Sequence, residues 1–147
     1  MKILVLNGPN INLLGIREPE KYGKDSYQSL VCMIEAHAKE IGIHCDVRQT
    51  NHEGVLVDEI QAALGVYDGI VINPAAYTHT SIAILDAALA VRLPIVEVHI
   101  SDLSKREAFR QVSYIRNAAV ATVSGHGISG YNEAIDILVS HISEKSR

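Results

Sequence analysis

Short apolar runs rich in β-branched residues alternate along the chain with longer segments in which apolar residues recur at a helical period. Runs of the first kind are typical of strands covered on both faces, and segments of the second kind are typical of helices that bury one face. The predicted strands are residues 3–7, 45–49, 69–73, 95–100 and 119–124. The predicted helices are residues 26–41, 55–64, 80–91, 105–112 and 131–143.

This strict alternation of strands and helices indicates repeated βαβ units. Parallel neighbours need crossover connections, which helices supply, so we expect a flavodoxin-like three-layer α/β/α fold with a five-stranded parallel sheet. The length of 147 residues fits a single domain, residues 1–147, built around one core. No internal repeat, low-complexity segment or linker interrupts the pattern.

The segment LNGPNINLLGIREPEKYG, residues 6–23, leaves the first predicted strand and then matches neither a helix nor a strand. A loop of this length inside a compact domain is usually functional, because the entropy lost in ordering it must be offset by something other than packing. The sequence therefore predicts that this loop takes part in a binding or catalytic site.

Polar residues also follow three of the predicted strands. These strand ends read NGPN at 7–10, NPAAYTHTS at 73–81 and HISD at 99–102. Asn and Pro in any one of them could simply make a turn. Because the carboxyl ends of parallel strands lie at one edge of the sheet, where doubly wound folds bind ligands, the three together predict a site at that edge.

Glu97 and His99 lie two residues apart in a predicted strand, so their side chains project from the same face of it. A buried charge needs a partner, and a carboxylate beside an imidazole fixes the tautomer and favours the protonated ring. Such a pair suits a proton donor that works near neutral pH. The spacing is also compatible with a structural ion pair tied to another element.

Composition narrows the possible partners. The formal net charge of −4 argues against a general nucleic-acid-binding surface, which would need a basic face. No apolar run approaches the roughly 18 residues of a membrane span, and MKILVLNGP does not resemble a signal peptide, so a cytoplasmic protein is expected. Cys32 and Cys45 form no CxxC pair, and NHEG lacks the second histidine of HExxH, so we expect no metal site.

The segment SGHGISGY places Gly125, Gly127 and Gly130 in GxGxxG spacing between a predicted strand and a predicted helix. The dinucleotide fingerprint belongs to a βαβ unit with an acidic residue about 20 positions further on, and Arg147 ends the sequence before a second strand. We therefore interpret the glycines as a tight turn that needs positive φ angles.

Several of these motifs together resemble those of the type II 3-dehydroquinate dehydratases of the shikimate pathway. The similar segments are LNGPNINLLGIREPEKYG at 6–23, NHEG with LVDEI at 51–60, NPAAYTHTSIAILDA at 73–87, EVHIS at 97–101, REAFR at 106–110 and GISGY at 127–131. The resemblance implies a flavodoxin-like subunit that dehydrates 3-dehydroquinate through an enolate, without cofactor or metal. It also implies a homododecamer assembled as a tetramer of trimers.

The resemblance further implies roles for five catalytic residues. Tyr22 would be the base, acting as tyrosinate beside Arg17 on a mobile lid of about residues 16–24. His99, held by Glu97, would protonate the departing hydroxyl. Asn10 would position the water that stabilises the enolate. The lysines lie outside the three strand-end loops, so the Schiff base of type I enzymes has no obvious nucleophile.

The substrate-binding positions implied by the resemblance are Asn73, His79, His99, Ile100, Ser101 and Arg110, with Arg106 in support. Asp86 would be donated by the neighbouring subunit. The sequence departs from the family pattern at Asp102, at Gln111 and Val112, and at Leu85, which leaves substrate affinity and subunit contacts open. Two alternatives remain: a flavodoxin-like module that binds FMN or a nucleotide, and a homologue without catalytic activity.

Overall fold

The computed structural model describes residues 1–20 and 24–147 in full, and the backbone alone of residues 21 and 22. Its sheet contains β1 (Lys2–Asn7), β2 (His44–Gln49), β3 (Gly69–Asn73), β4 (Ile95–His99) and β5 (Ala121–Ser124). The strands pair in parallel in the order β2-β1-β3-β4-β5. All five predicted strands and the parallel sheet are confirmed.

The helices are α1 (Pro19–Tyr22), α2 (Tyr27–Ile41), α3 (Glu53–Ala62), α4 (Ile82–Val91) and α5 (Gly130–Lys145). Four of them match predicted helices to within about two residues, the usual uncertainty of helix ends. The short α1 was not predicted; it begins at Pro19, whose fixed φ suits the first position of a helix. None of the helices in the described residues is both long and apolar enough to cross a bilayer.

Side chains alternate between the two faces of the sheet and fill two apolar layers. On one face, Ile3, Val5 and Val71 pack against α2 and α5. On the other face, Leu4 and Ile70 pack with buried residues of α3 and α4. This arrangement confirms the predicted three-layer α/β/α architecture, with the central strands buried on both sides.

The predicted helix at residues 105–112 is wrong. The chain instead forms two short 3₁₀ turns, Leu103–Lys105 and Ala108–Arg110. The segment has no apolar stripe to bury, since Phe109 is 68% exposed. The Gln111 carboxamide replaces helical hydrogen bonds, because its Nε2 donates to the carbonyls of residues 103, 106 and 107 at 2.7, 3.1 and 3.4 Å.

The glycine turn before α5 is confirmed at two of its three positions. Gly125 and Gly127 have φ angles of 83° and 62°. Gly130 instead has φ −57° and begins α5, where a Cβ would lie 3.3 Å from Val123 Cγ1. The turn also holds the end of β4, because the amides of Gly125 and Gly127 donate to the carbonyls of residues 99 and 100 at 3.3 and 3.1 Å.

Candidate active site

A cavity that is partly open to solvent lies at the carboxyl ends of β1, β3 and β4. This is the edge at which the sequence predicts a site. Nine of the predicted site residues line it: Asn10, Arg17, Asn73, His79, His99, Ile100, Ser101, Arg106 and Arg110. The other lining residues, which were not predicted as site residues, are Pro9, Ile11, Ala75, Ala76 and Leu103.

The turn after β1 is fixed to its neighbours by backbone geometry. The Gly8 amide donates to the Asn73 carbonyl at 2.8 Å, and a Cβ on Gly8 would lie 2.5 Å from the Pro74 oxygen. Asn10 adopts φ 69°, and its amide donates to Asn51 Oδ1 at 3.0 Å. A short polar turn, in which Gly8 lets the chain pass close to the backbone of Pro74, therefore places Asn10 at the rim of the cavity.

His99 and Glu97 form the buried pair that their spacing predicts. The Nε2 atom of His99 lies 2.7 Å from Oε1 of Glu97. His99 is 5% exposed and Glu97 is fully buried. Because Nε2 is committed to the carboxylate, Nδ1 is the ring nitrogen that remains for a bound molecule.

Three further side chains surround the Glu97 carboxylate. Ser113 Oγ donates to Oε1 at 2.6 Å, Thr122 Oγ1 donates to Oε2 at 2.9 Å, and Arg116 Nε donates to Oε2 at 3.0 Å. Burial by itself raises the pKa of Glu97, but the hydrogen bond and charge of His99, followed by the bonds from Ser113 and Arg116, lower it to about 2. Glu97 is therefore a carboxylate at neutral pH.

His79 faces the same cavity with a fixed ring. Its Nδ1 lies 2.7 Å from the carbonyl oxygen of Val112 and donates to it, which leaves Nε2 for a ligand. Burial lowers the pKa of His79; the Val112 carbonyl opposes this shift, and the charges of His99 and Arg110 add to it. Near neutral pH His79 therefore acts as a neutral hydrogen-bonding group rather than a cation.

Two arginines from the segment after β4 supply positive charge. Arg106 Nη1 donates to Ser101 Oγ at 3.2 Å, and Arg110 Nε donates to Glu107 Oε2 at 2.8 Å. Arg110 also stacks over Phe109, with its guanidinium carbon 5.2 Å from the ring centre. Because Nε of Arg110 is bonded to Glu107, its two terminal nitrogens keep one orientation. In that orientation they can donate a pair of hydrogen bonds to an anion or a hydroxyl.

Arg17 brings a third arginine to the cavity from the loop before α1. Its Nη2 lies 4.0 Å from Glu18 Oε2, and Glu18 adopts the uncommon φ of 39°. The predicted base, Tyr22, closes α1, but its side chain lies outside the described residues.

Asp86, which is predicted to act in the site of a neighbouring subunit, is exposed on the outer face of α4 and does not line the cavity of its own chain. Asp102 caps the turn after β4, where its Oδ1 accepts from Ser104 N at 3.0 Å and from Ser104 Oγ at 2.6 Å. Its carboxylate is thus turned away from the site, so this departure from the family pattern adds no negative charge to the described lining.

The three side chains that hold Glu97 were not predicted from the sequence. Thr122 could have been found, because β5 pairs with β4 and Thr122 lies directly opposite Glu97 in the register. Ser113 and Arg116 come from the irregular segment before β5, whose path no local pattern predicts. Within residues 1–20 and 24–147, no three His, Cys, Asp or Glu side chains cluster as metal ligands.

Comparison with known proteins gives a consistent result. The family described as Dehydroquinase class II matches residues 1–139. A 3-dehydroquinate dehydratase from Ruegeria pomeroyi is 51% identical over 96% of this chain and 95% of its own length. A catabolic 3-dehydroquinase from Verticillium alfalfae is 47% identical over 99% of this chain and 97% of its own.

The fold agrees with these sequence relationships. The crystal structure of a type II dehydroquinase from Butyrivibrio crossotus superposes with a TM-score of 0.92 at 48% identity, covering 94% of this chain and 97% of the other. Sequence, fold and the composition of the cavity thus point to one family. The chain belongs to the class II dehydroquinases.

Proposed function

We infer that the chain is a hydro-lyase that removes water from 3-dehydroquinate to give 3-dehydroshikimate. The observation that carries this function is the buried Glu97–His99 pair, which leaves one imidazole nitrogen toward a cavity lined by three arginines. A dehydratase of this kind needs a proton donor for the leaving hydroxyl and cations for a carboxylate-bearing substrate. Family membership and the names of the relatives support the same reaction.

The first step takes a proton from the carbon beside the substrate ketone, and we assign this role to Tyr22 as tyrosinate. A free tyrosine has a pKa near 10, so ionising it at pH 7 costs about 4 kcal/mol. One cation at about 4 Å contributes up to about 4 kcal/mol at an effective dielectric constant of about 20. Arg17, which lies between the 3₁₀ turn Ile11–Leu13 and α1 and lines the cavity, is a cation on the same segment.

The electron pair left on carbon moves to the ketone oxygen and forms an enolate. Asn10, at the rim of the cavity, would hold the water that donates to this oxygen, in the manner of an oxyanion hole. When the enolate collapses, the carbon–oxygen bond of the departing hydroxyl breaks. Nδ1 of the His99 imidazolium gives its proton to that oxygen, so water leaves and the ring returns to the neutral state.

Glu97 supports this acid in two ways. It fixes Nε2 as the nitrogen that donates to the carboxylate, which leaves Nδ1 for proton transfer. The hydrogen bond of 2.7 Å also holds the ring in one orientation, so that Nδ1 stays on the side of the cavity. Because Ser113, Thr122 and Arg116 hold the carboxylate, it keeps this geometry through the cycle.

Substrate recognition is assigned to the remaining lining groups. Asn73, His79, Ser101, Arg110 and the backbone at Ile100 would hold the carboxylate and ring hydroxyls, with Arg106 in support. Arg106 and Arg110 share the Glu107 carboxylate, at 3.6 and 2.8 Å from their Nε atoms. Their net positive charge is thereby reduced but not cancelled, which suits a substrate with a single carboxylate.

We also propose a homododecamer built as a tetramer of trimers, in which Asp86 reaches the site of a neighbouring subunit. The exposed face of α4 supports this, since Ile82 and Leu89 are 54% and 52% exposed beside Asp86. A helix such as α4, which is apolar on its exposed side as well as on its buried side, is usually covered by a partner. Light scattering of the purified protein would report the assembly, and a monomer would refute it.

A cytoplasmic location is proposed as well. Cys32 and Cys45 are both free thiols, as expected in a reducing compartment. Cell fractionation followed by immunoblotting would test this location, and recovery in a secreted or membrane fraction would contradict it.

The assay is direct because the enone product absorbs in the ultraviolet and the substrate does not. Purified protein mixed with 3-dehydroquinate is expected to raise this absorbance, and treatment with borohydride in the presence of substrate is expected to leave activity unchanged. A folded protein that gives no absorbance rise would overturn the function. Trapping of a covalent imine would show that the reaction runs through a Schiff base, and it would overturn the proposed enolate mechanism.

The comparisons do not favour the two alternatives, a module for FMN or nucleotides and an inactive homologue. The same preparation separates them from the enzyme. A bound flavin or nucleotide would be seen in the absorbance spectrum of the protein, and an inactive homologue would bind without turnover.

A further inference from the structure

Tyr131 lies beneath the candidate active site and is fully buried near the start of α5. Its hydroxyl contacts the final residues of two strands that lead into the site. Asn73 Nδ2 donates to Tyr131 Oη at 2.9 Å, and Tyr131 Oη donates to Asn7 Oδ1 at 2.7 Å. Asn7 and Asn73 are register partners on β1 and β3, so one hydroxyl joins the two strand ends.

The direction of these hydrogen bonds is fixed by a backbone group. The amide of Ala75 can only donate, and it donates to Asn73 Oδ1 at 3.1 Å. The Asn73 oxygen therefore points toward Ala75, and its Nδ2 points toward Tyr131. The Tyr131 hydroxyl must then accept from Asn73, so its own hydrogen goes to the oxygen of Asn7.

This arrangement leaves one N–H of the Asn73 carboxamide to donate to a ligand. Nδ2 carries two hydrogens, and the bond to Tyr131 uses one of them. Asn73 is 3% exposed and lines the cavity. The second hydrogen is therefore the donor that Asn73 can offer to an oxygen of a bound molecule.

We propose that Tyr131 is a positioning residue that orients the Asn73 carboxamide, so that Asn73 presents an N–H donor to an oxygen of 3-dehydroquinate. The inference rests on the proposed function and deepens it, because it explains how a residue outside the cavity controls substrate affinity. Without the hydroxyl, Nδ2 loses its buried acceptor, and the carboxamide can turn away from the geometry that binds substrate.

The test compares two buried tyrosines. Tyr131→Phe is matched by Tyr67→Phe, which also removes a hydrogen-bonded hydroxyl from a 6% exposed ring, but at the opposite edge of the sheet. Both variants are expected to melt at lower temperature. Only Tyr131→Phe should raise KM for 3-dehydroquinate, by about tenfold, with kcat within about threefold of the wild-type value.

Two further variants complete the test. Asn7→Ala removes the acceptor of the Tyr131 hydroxyl and is expected to raise KM by a smaller factor than Tyr131→Phe does. It replaces Tyr131→Phe in the test if that variant does not fold. In an Asn73→Ala background, Tyr131→Phe should change KM no further, because the group that it orients is gone. Additive effects in this pair, or equal KM values for the Tyr131 and Tyr67 variants, would overturn the inference.

Failure of the proposed function looks different. If the folded wild-type protein does not convert 3-dehydroquinate, the function itself is wrong, and the positioning role falls with it. If the wild-type protein is active and the tyrosine variants behave alike, the function stands and only the role of Tyr131 is refuted.

Discussion

Arg116 is half exposed on the segment before β5, yet its Nε donates to the fully buried Oε2 of Glu97 at 3.0 Å. A surface cation is thus joined to the carboxylate that holds His99. Because Arg116 holds the carboxylate that orients the His99 ring, it is expected to influence the acid without touching the substrate.

Replacing Arg116 with glutamine should lower kcat for 3-dehydroquinate by about tenfold and leave KM within about threefold of the wild-type value. With the guanidinium gone, the Glu97 carboxylate loses the hydrogen bond to its Oε2 and holds the His99 ring less firmly. Initial rates measured over a range of substrate concentrations check this expectation.

The matched control is Arg48→Gln, in which Arg48 of the edge strand β2 can no longer form its ion pair with Glu59 of α3. It should leave kcat unchanged. A kcat that stays at the wild-type value in Arg116→Gln, or that falls equally in both variants, would show that Arg116 has only a structural role.

Glu97 also makes the stability of the protein depend on pH. Its pKa falls from 4.5 to about 2 on folding, so the unfolded chain binds the proton more tightly. The stability that this carboxylate contributes is present above pH 4.5 and is lost as the pH falls toward about 2. In Glu97→Gln, the free energy of unfolding should fall less steeply as the pH is lowered, by up to about 1.4 kcal/mol per pH unit.

Chemical denaturation at a series of acid pH values measures this slope. Glu59→Gln is the control, because it removes a carboxylate that is paired with Arg48 but is not enclosed in the core. The interpretation fails if the Glu97 variant keeps the wild-type slope. The absolute stability of the variant does not decide the question, since any change at a buried site can lower it.

Tyr22→Phe should reduce kcat by about 10²- to 10⁴-fold and leave substrate binding largely intact. The phenylalanine keeps the ring and removes the group assigned as the base. Turnover by ultraviolet absorbance and binding by calorimetry measure the two effects separately, with Tyr67→Phe as the control. Retention of more than about a tenth of the rate would reject Tyr22 as the base.

Arg17→Gln should lower kcat at neutral pH and recover part of the activity as the pH rises. Without the guanidinium, a tyrosinate beside it forms only at higher pH, so the acid limb of the profile shifts upward. Arg92→Gln, at the far end of α4, provides an arginine control outside the cavity. An unchanged acid limb in the Arg17 variant would separate this residue from the base.

Gly8→Ala should destabilise the protein by about 1–3 kcal/mol, because the added methyl group meets backbone that cannot easily move. The new Cβ would lie 2.5 Å from the carbonyl oxygen of Pro74. Gly54→Ala in α3, where a Cβ meets open space, should be neutral or stabilising by up to about 1 kcal/mol. Denaturant unfolding of both variants distinguishes local crowding from a general cost of replacing glycine.

The local pattern of apolar residues was sufficient to predict the strands and most helices, because these elements bury faces whose apolar residues recur at fixed periods. It failed at residues 105–112, where the Gln111 side chain satisfies backbone carbonyls that a helix would have paired. The side chain of Gln111 acts on atoms several residues away, and this interaction has no periodic signature.

The candidate site likewise contains residues that were predicted from the sequence and residues that were found only in the structure. Glu97 and His99 were predictable, since a charged pair on one face of an apolar strand stands out against its neighbours. Arg116 and Tyr131 were not predicted as partners of the site. Both contacts depend on how distant segments pack: Arg116 lies 19 residues from Glu97, and Tyr131 lies 58 residues from Asn73.

The parallel α/β fold, the strand ends that carry chemistry and the family resemblance can all be predicted without the structure, because hydrophobic periodicity and local motifs encode them. The buried groups that hold those chemical residues in place are set by long-range packing. The Glu97 carboxylate and the Asn73 carboxamide must satisfy their hydrogen bonds inside the core, and the partners that do so come from whatever segments the fold brings into contact.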